Sequence, residues 1–262
     1  MADILETIAE SNREIVRKNK EIKPLNAVMD EAFARGRGDF SFEKALAKDG
    51  LSFICECKKA SPSKGIISED FPYIDIAKDY EKAGADCISV LTEPVWFKGS
   101  TKILSEISSS VATPCLRKDF TIDEYMIYEA VTCGASAVLL ICSILDSKTL
   151  GKYIRLCDEL GLSALVEAHD SNEVEMGLGE GARIIGVNNR NLRDFTVDPT
   201  NCLRLREYVG DRALFVAESG VKTHEDVVNL EKEMCDAVLI GESMMRAQDK
   251  TAFLKELRYG DA

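Results

Sequence analysis

A chain of 262 residues with 45% hydrophobic and 30% charged side chains has the composition of a globular protein that buries a large core, which excludes the disordered and fibrous classes. Lys and Arg number 33 against 45 Asp and Glu, a net charge of −12, so no nucleic-acid or anionic-membrane partner is expected and an anionic ligand would need a local cluster of cations. Nine cysteines, odd in number and without a C-x-x-C pair, read as small buried hydrophobes in a reducing compartment, the cytoplasm.

The first 20 residues lack the apolar core of a signal peptide, and no apolar stretch approaches the roughly 18 residues that would span a bilayer. Ile4, Leu5, Ile8, Ile15 and Val16 instead share one helical face beside Arg13, Arg17, Lys18 and Lys20. One or two helices are therefore expected before the first strand, packed over one end of the fold.

Eight short apolar runs follow, at residues 52–57, 87–91, 113–116, 137–141, 163–166, 183–187, 213–216 and 236–240. Each has the length and composition of a parallel strand covered on both faces. The stretches between them carry helical spacing, as in Leu150, Ile154, Cys157 and Leu160, and several end on a helix-closing glycine: Gly84, Gly134, Gly161 and Gly181. Eight strands alternating with helices predict an α/β fold, a (βα)8 TIM barrel spanning 1–262 as a single domain, with 1–50 as an N-terminal helical extension. An open doubly wound sheet competes, but the G-x-G-x-x-G fingerprint is missing after the first strand. The residues beyond the first 50 divide into eight units of about 26, the size a barrel needs.

Barrel enzymes build their sites at the C-terminal ends of the strands. The first strand ends Glu56-Cys57-Lys58, and a period of two aims Glu56 and Lys58 into the barrel mouth while Cys55 and Cys57 pack outward. No His lies near these cysteines and no ligand spacing is present, so no metal site is expected. The loop Lys59-Ala60-Ser61-Pro62-Ser63-Lys64-Gly65 suits a mobile lid, and Trp96-Phe97 could floor an apolar pocket for a ring. Lys118 ends the third strand and Glu167 the fifth, a candidate acid and base; a cation-rich, low-dielectric mouth is expected to pull the lysine pKa down. Of the two histidines, His169 is read on the face opposite Glu167 and His224 in a helix, so neither is expected in the chemistry. Ser219-Gly220 and Gly241-Glu242-Ser243 follow the last two strands, where backbone N–H groups and a short helix often hold phosphate. Lys58, Lys118 and Arg190 would supply the positive charge an anionic sugar phosphate needs.

Together the segments Glu56-Cys57-Lys58-Lys59-Ala60-Ser61-Pro62-Ser63, Leu91-Thr92-Glu93, Leu116-Arg117-Lys118-Asp119-Phe120, Val166-Glu167-Ala168-His169, Gly186-Val187-Asn188-Asn189-Arg190-Asn191-Leu192, Ala217-Glu218-Ser219-Gly220 and Leu239-Ile240-Gly241-Glu242-Ser243-Met244-Met245 resemble the indole-3-glycerol phosphate synthases of tryptophan biosynthesis. The resemblance implies that 1-(2-carboxyphenylamino)-1-deoxyribulose 5-phosphate closes its pyrrole ring with loss of carbon dioxide and water, without metal or organic cofactor. It assigns Lys118 as general acid, Glu167 to the acid/base work of dehydration, Lys58 as second cation and Glu56 as the group that positions a lysine. Asn188, Arg190 and Glu218 would line the substrate site, with Phe97 at the ring pocket and Ser61 in the lid. Ser219, Gly220, Gly241 and Glu242 would bind phosphate, Glu242 through its backbone N–H alone, because a carboxylate repels the anion. A monomer is expected. The alternatives are a phosphoribosylanthranilate isomerase-like barrel enzyme and a non-catalytic phosphometabolite-binding barrel.

Overall fold

The computed structural model describes residues 4–190, 196–198 and 200–260. Eight parallel strands close into a barrel: β1 (Ser52–Cys57), β2 (Cys87–Leu91), β3 (Cys115–Lys118), β4 (Ala137–Ile141), β5 (Ser163–Ala168), β6 (Ile184–Asn188), β7 (Leu214–Glu218) and β8 (Ala237–Ile240). Each strand pairs with its neighbours in sequence, and β8 closes onto β1 through Ser52 opposite Ala237 to Cys55 opposite Ile240. Helices separate the strands. Several start on a side-chain cap, such as Asp146 accepting from the Thr149 backbone N–H and Thr223 from that of Asp226. Gly84 and Gly161 close two of them in the left-handed region, at φ +88° and +68°. Among the described residues no helix is long and apolar enough to cross a membrane.

The period of two sorts the strand residues as expected for a filled barrel. Ile54, Leu116, Leu139, Leu165, Ile184, Val216 and Leu239 pack inside, while Phe53, Cys55, Ile88, Val138, Val166 and Phe215 face the helices. All nine cysteines are free thiols and all but Cys133 are fully buried, consistent with their reading as small apolar residues; burial pushes several thiols up to about 12, including Cys55 and Cys115. Arg117 is a charged exception in the helix layer. Its guanidinium is held by Glu129 and Asp119 and donates to the Met126 carbonyl, which offsets its desolvation.

Three helices precede β1: α1 (Ile4–Ile22), α2 (Leu25–Ala34) and α3 (Ser41–Leu46). They cover both ends of the barrel. Phe42 and Leu46 of α3 plug the N-terminal end, where the Ser52 hydroxyl donates to the Ala45 carbonyl. The α1 helix lies over the C-terminal mouth, pinned by buried Asn12, whose Nδ2 donates to Asp119 Oδ1 and to the Phe120 carbonyl, both at 2.9 Å. Asn12→Ala leaves the Phe120 carbonyl without that donor and removes the tie, at an expected cost of about 1–3 kcal/mol. A urea midpoint unchanged from the parent protein would show that Asn12 does not anchor the helix.

Candidate active site

The strand ends converge on a cavity of about 850 Å³ at the C-terminal mouth. All thirteen residues singled out in the sequence line it: Glu56, Lys58, Ser61, Phe97, Lys118, Glu167, Asn188, Arg190, Glu218, Ser219, Gly220, Gly241 and Glu242. Alternation along each strand explains the convergence, since Glu56, Lys118, Glu167, Asn188 and Glu218 extend the inward-facing rows of their strands beyond the apolar layers. Asn191 and Leu192 of the sixth-strand motif lie outside the described residues.

At the centre, Lys118 Nζ lies 2.5 Å from Glu218 Oε2 and 3.2 Å from Glu167 Oε2. Burial disfavours the ammonium, but Glu218, Glu167 and Glu56 outweigh it, so the lysine is held above its ordinary value. The lowered lysine pKa expected from a cation-rich mouth is thus corrected, because carboxylates and not cations surround this amine. The two carboxylates are driven apart. Burial pushes Glu218 up to about 7, with Glu167 and Glu56 adding to the rise and Lys118 opposing it. Burial also works against the Glu167 carboxylate, yet Lys118 and His169 overcome it and hold the group well below the usual range.

Glycines make this packing possible. A Cβ at Gly186 would stand 2.5 Å from Glu218 Oε1, and one at Gly241 would stand 2.6 Å from Glu56 Oε1 and 2.8 Å from Lys58 Nζ. Lys58 and Glu56 themselves form a partly buried ion pair, 2.5 Å between Nζ and Oε1.

At one end of the cavity are Ser219 and Gly220, with φ of +66° and +99°, and Gly241 at the start of the short helix Glu242–Arg246. The Ser219 hydroxyl donates to Asn188 Oδ1, which also accepts from the Arg190 backbone N–H. The Glu242 carboxylate is held by Arg246 Nε at 3.0 Å, with Lys64 Nζ at 4.0 Å. Lys64, Lys222 and Arg246 also line this end and were missed in the sequence, since they sit in loops and on a helix rather than at strand ends. Their presence decides the charge balance. Six cations then face five carboxylates in the cavity lining, and Lys58 and Lys118 are paired with Glu56 and Glu218.

The opposite side is apolar. Phe97 and Phe120 pair with ring centroids 6.1 Å apart, and Ile4, Leu5 and Ile8 of α1 join Leu91 and Leu139 in the wall. Trp96 packs behind this wall and not in the cavity lining. Buried Glu93 shapes the turn by accepting the backbone N–H groups of Val95, Trp96 and Phe97 at 2.7 to 3.0 Å. The loop after β1 folds as a small hairpin, Ala60–Ser61 against Gly65–Ile66, with Ser61 and Lys64 over the cavity. His169 corrects its expected placement. Residues two apart on a strand share a face, and its Nε2 lies 3.3 Å from Glu167 Oε1.

Among the described residues, no group of three or more His, Cys, Asp or Glu side chains is placed to hold a metal ion. The geometry offers a proton-bearing lysine between two unlike carboxylates, an apolar wall suited to a ring and a backbone-lined, cation-rimmed end suited to phosphate.

Comparison with known proteins shows the fold and the family. The solved structure of a 3-hexulose-6-phosphate synthase superposes with a TM-score of 0.65 at 15% identity, over 81% of this chain and 100% of that one, which shows the shared barrel fold. The indole-3-glycerol phosphate synthase of Ruminiclostridium cellulolyticum is 54% identical over 97% of this chain and 98% of its own, and that of Endomicrobium trichonymphae is 49% identical over 97% and 99%. The model of the same family, indole-3-glycerol phosphate synthase, matches residues 5–257. The chain belongs to the indole-3-glycerol phosphate synthase family, decarboxylating lyases of tryptophan biosynthesis.

Proposed function

We propose that the cavity closes the pyrrole ring of 1-(2-carboxyphenylamino)-1-deoxyribulose 5-phosphate through Lys118 and Glu167, and the observation that carries this reading is the Lys118 ammonium held between Glu167 and Glu218. The substrate's aromatic ring lies against Phe97 and Phe120, and its phosphate meets the backbone of Ser219, Gly220, Gly241 and Glu242. The Glu242 side chain stays with Arg246, so only its N–H faces the anion. As the ring carbon bearing the carboxylate attacks the ketose C2, Lys118 protonates the developing C2 alkoxide. Loss of carbon dioxide restores the aromatic ring. Glu167 then takes the C1 proton while Lys58, positioned by Glu56, gives a proton to the departing C2 hydroxyl, which leaves as water.

Asn188, Arg190 and Glu218 orient the chain of the sugar, and Ser61 closes over it. Every residue given a role comes from one chain, so the reading needs no second copy. The helices before β1 belong to the same domain in this reading, because Ile4, Leu5 and Ile8 wall the site. Nine free thiols suit the cytoplasm, where they stay reduced. Purified protein given this substrate, with a chelator and no added metal, is expected to produce indole fluorescence. Folded protein that forms no indole overturns the reading.

A further inference from the structure

Glu167 has two oxygens with different partners. Oε2 meets Lys118 Nζ at 3.2 Å, whereas Oε1 lies 3.3 Å from His169 Nε2, within ion-pair distance, and both of these atoms are buried without a hydrogen-bond partner. The second imidazole nitrogen, Nδ1, lies 3.2 Å from Glu173 Oε2, and the same oxygen accepts the His169 backbone N–H at 2.7 Å. The ring is thus clamped at both nitrogens between two carboxylates.

His169 and Glu173 do not line the substrate cavity. They line a neighbouring one of about 810 Å³, whose exposed rim carries Glu6 and Arg13 from α1, Asp146 from the loop after β4, Asp170, and Asp198 from the loop after β6. The Glu167–His169 contact therefore forms part of the wall between the two cavities.

The proposed reaction creates a need for such a contact. Lys118 gives its proton to the C2 oxygen in the first half, so it is no longer a cation when Glu167 must accept the C1 proton. The Glu167 side chain is only 2% exposed and cannot rely on water to keep it ionised. A second, persistent cation at Oε1 would.

We propose that His169, held by Glu173, is the positioning residue that orients Glu167 and keeps it a carboxylate through the second half of the reaction. The proposal rests on the role given to Glu167 above. Burial works against the imidazolium, but Glu167 and Glu173 overcome it and hold the ring charged up to about 10, so the cation persists at neutral pH.

The test compares pH profiles of indole formation for the parent protein, His169→Gln and Glu173→Gln. His169→Gln keeps a donor near Nε2 but no charge, so the Glu167 pKa rises and its base form is populated only at higher pH. The acid limb of kcat is expected to move up by about one pH unit or more, with activity lost on the acid side, recovery as pH rises, and KM within about threefold. Glu173→Gln should shift the limb in the same direction by less. An acid limb that stays in place in both variants, or a loss of kcat that does not recover with pH, overturns the positioning role. If Glu167→Gln abolishes turnover while both limbs stay in place, only the positioning role falls. If Glu167→Gln turns over normally, the role of Glu167 falls and the positioning role with it.

Discussion

Lys118→Ala is expected to lower kcat by on the order of a hundredfold or more, the size of a lost general acid. The argument turns on what the proton must reach. Ring closure converts a ketone oxygen into an alkoxide, which is more basic than any amine, so a lysine held above its ordinary pKa by Glu218, Glu167 and Glu56 still delivers its proton downhill once the carbon–carbon bond forms. Before that moment the same carboxylates keep the ammonium charged and aimed. Removing it also leaves Glu167 and Glu218, each 2% exposed, without the cation between them, a loss that costs about 3–5 kcal/mol in comparable buried pairs. Stability must therefore be measured beside turnover, and Lys118→Arg serves as the variant that keeps the charge while moving the donor. Single-turnover experiments should show neither carbon dioxide nor indole from Lys118→Ala, since both lie beyond ring closure. Turnover within tenfold of the parent in both folded variants would remove Lys118 from the acid role.

The barrel was legible because eight short apolar runs, of the length and composition that buried parallel strands need, alternate with stretches of helical spacing. The apolar runs by themselves stop short of four strand ends. Residues 113–116, 163–166, 183–187 and 213–216 were expected as strands, whereas the structure continues them to Lys118, Ala168, Asn188 and Glu218. The shortfall has one cause: an apolar run stops where polar side chains extend the strand into the mouth. The rule that sites lie at strand ends recovered those residues by another route. Features set by distant contacts were not legible. The amphipathic face of α1 signals packing but not which end of the barrel it covers; that is decided by Asn12 meeting Asp119, 107 residues away. Lys222 and Arg246 carry no local mark that separates them from surface cations. Gly186 reads as a weak point in a strand until Glu218 is seen against it. His169 was within reach, since the alternation that placed Glu56 with Lys58 also places it with Glu167.

Glu167→Gln separates the two halves of the reaction. The substitution keeps the shape of the side chain and a hydrogen-bonding oxygen for Lys118, but the amide cannot accept the C1 proton. Ring closure and loss of carbon dioxide draw on Lys118 and should survive, while dehydration should not, so steady-state kcat is expected to fall by on the order of a hundredfold or more. A single turnover should release carbon dioxide well ahead of indole fluorescence, a lag absent from the parent protein. The pairing of Glu167 with Glu218 sharpens the expectation. One carboxylate is held below the usual range by Lys118 and His169 and the other is pushed above it by burial and its acidic neighbours, the kind of separation that divides roles between paired carboxylates. If Glu218 were the base instead, Glu167→Gln would change the energetics of Lys118 without creating the lag. Carbon dioxide and indole appearing together at a reduced rate would therefore move the dehydration role from Glu167 to another group, with Glu218 the nearest carboxylate to Lys118.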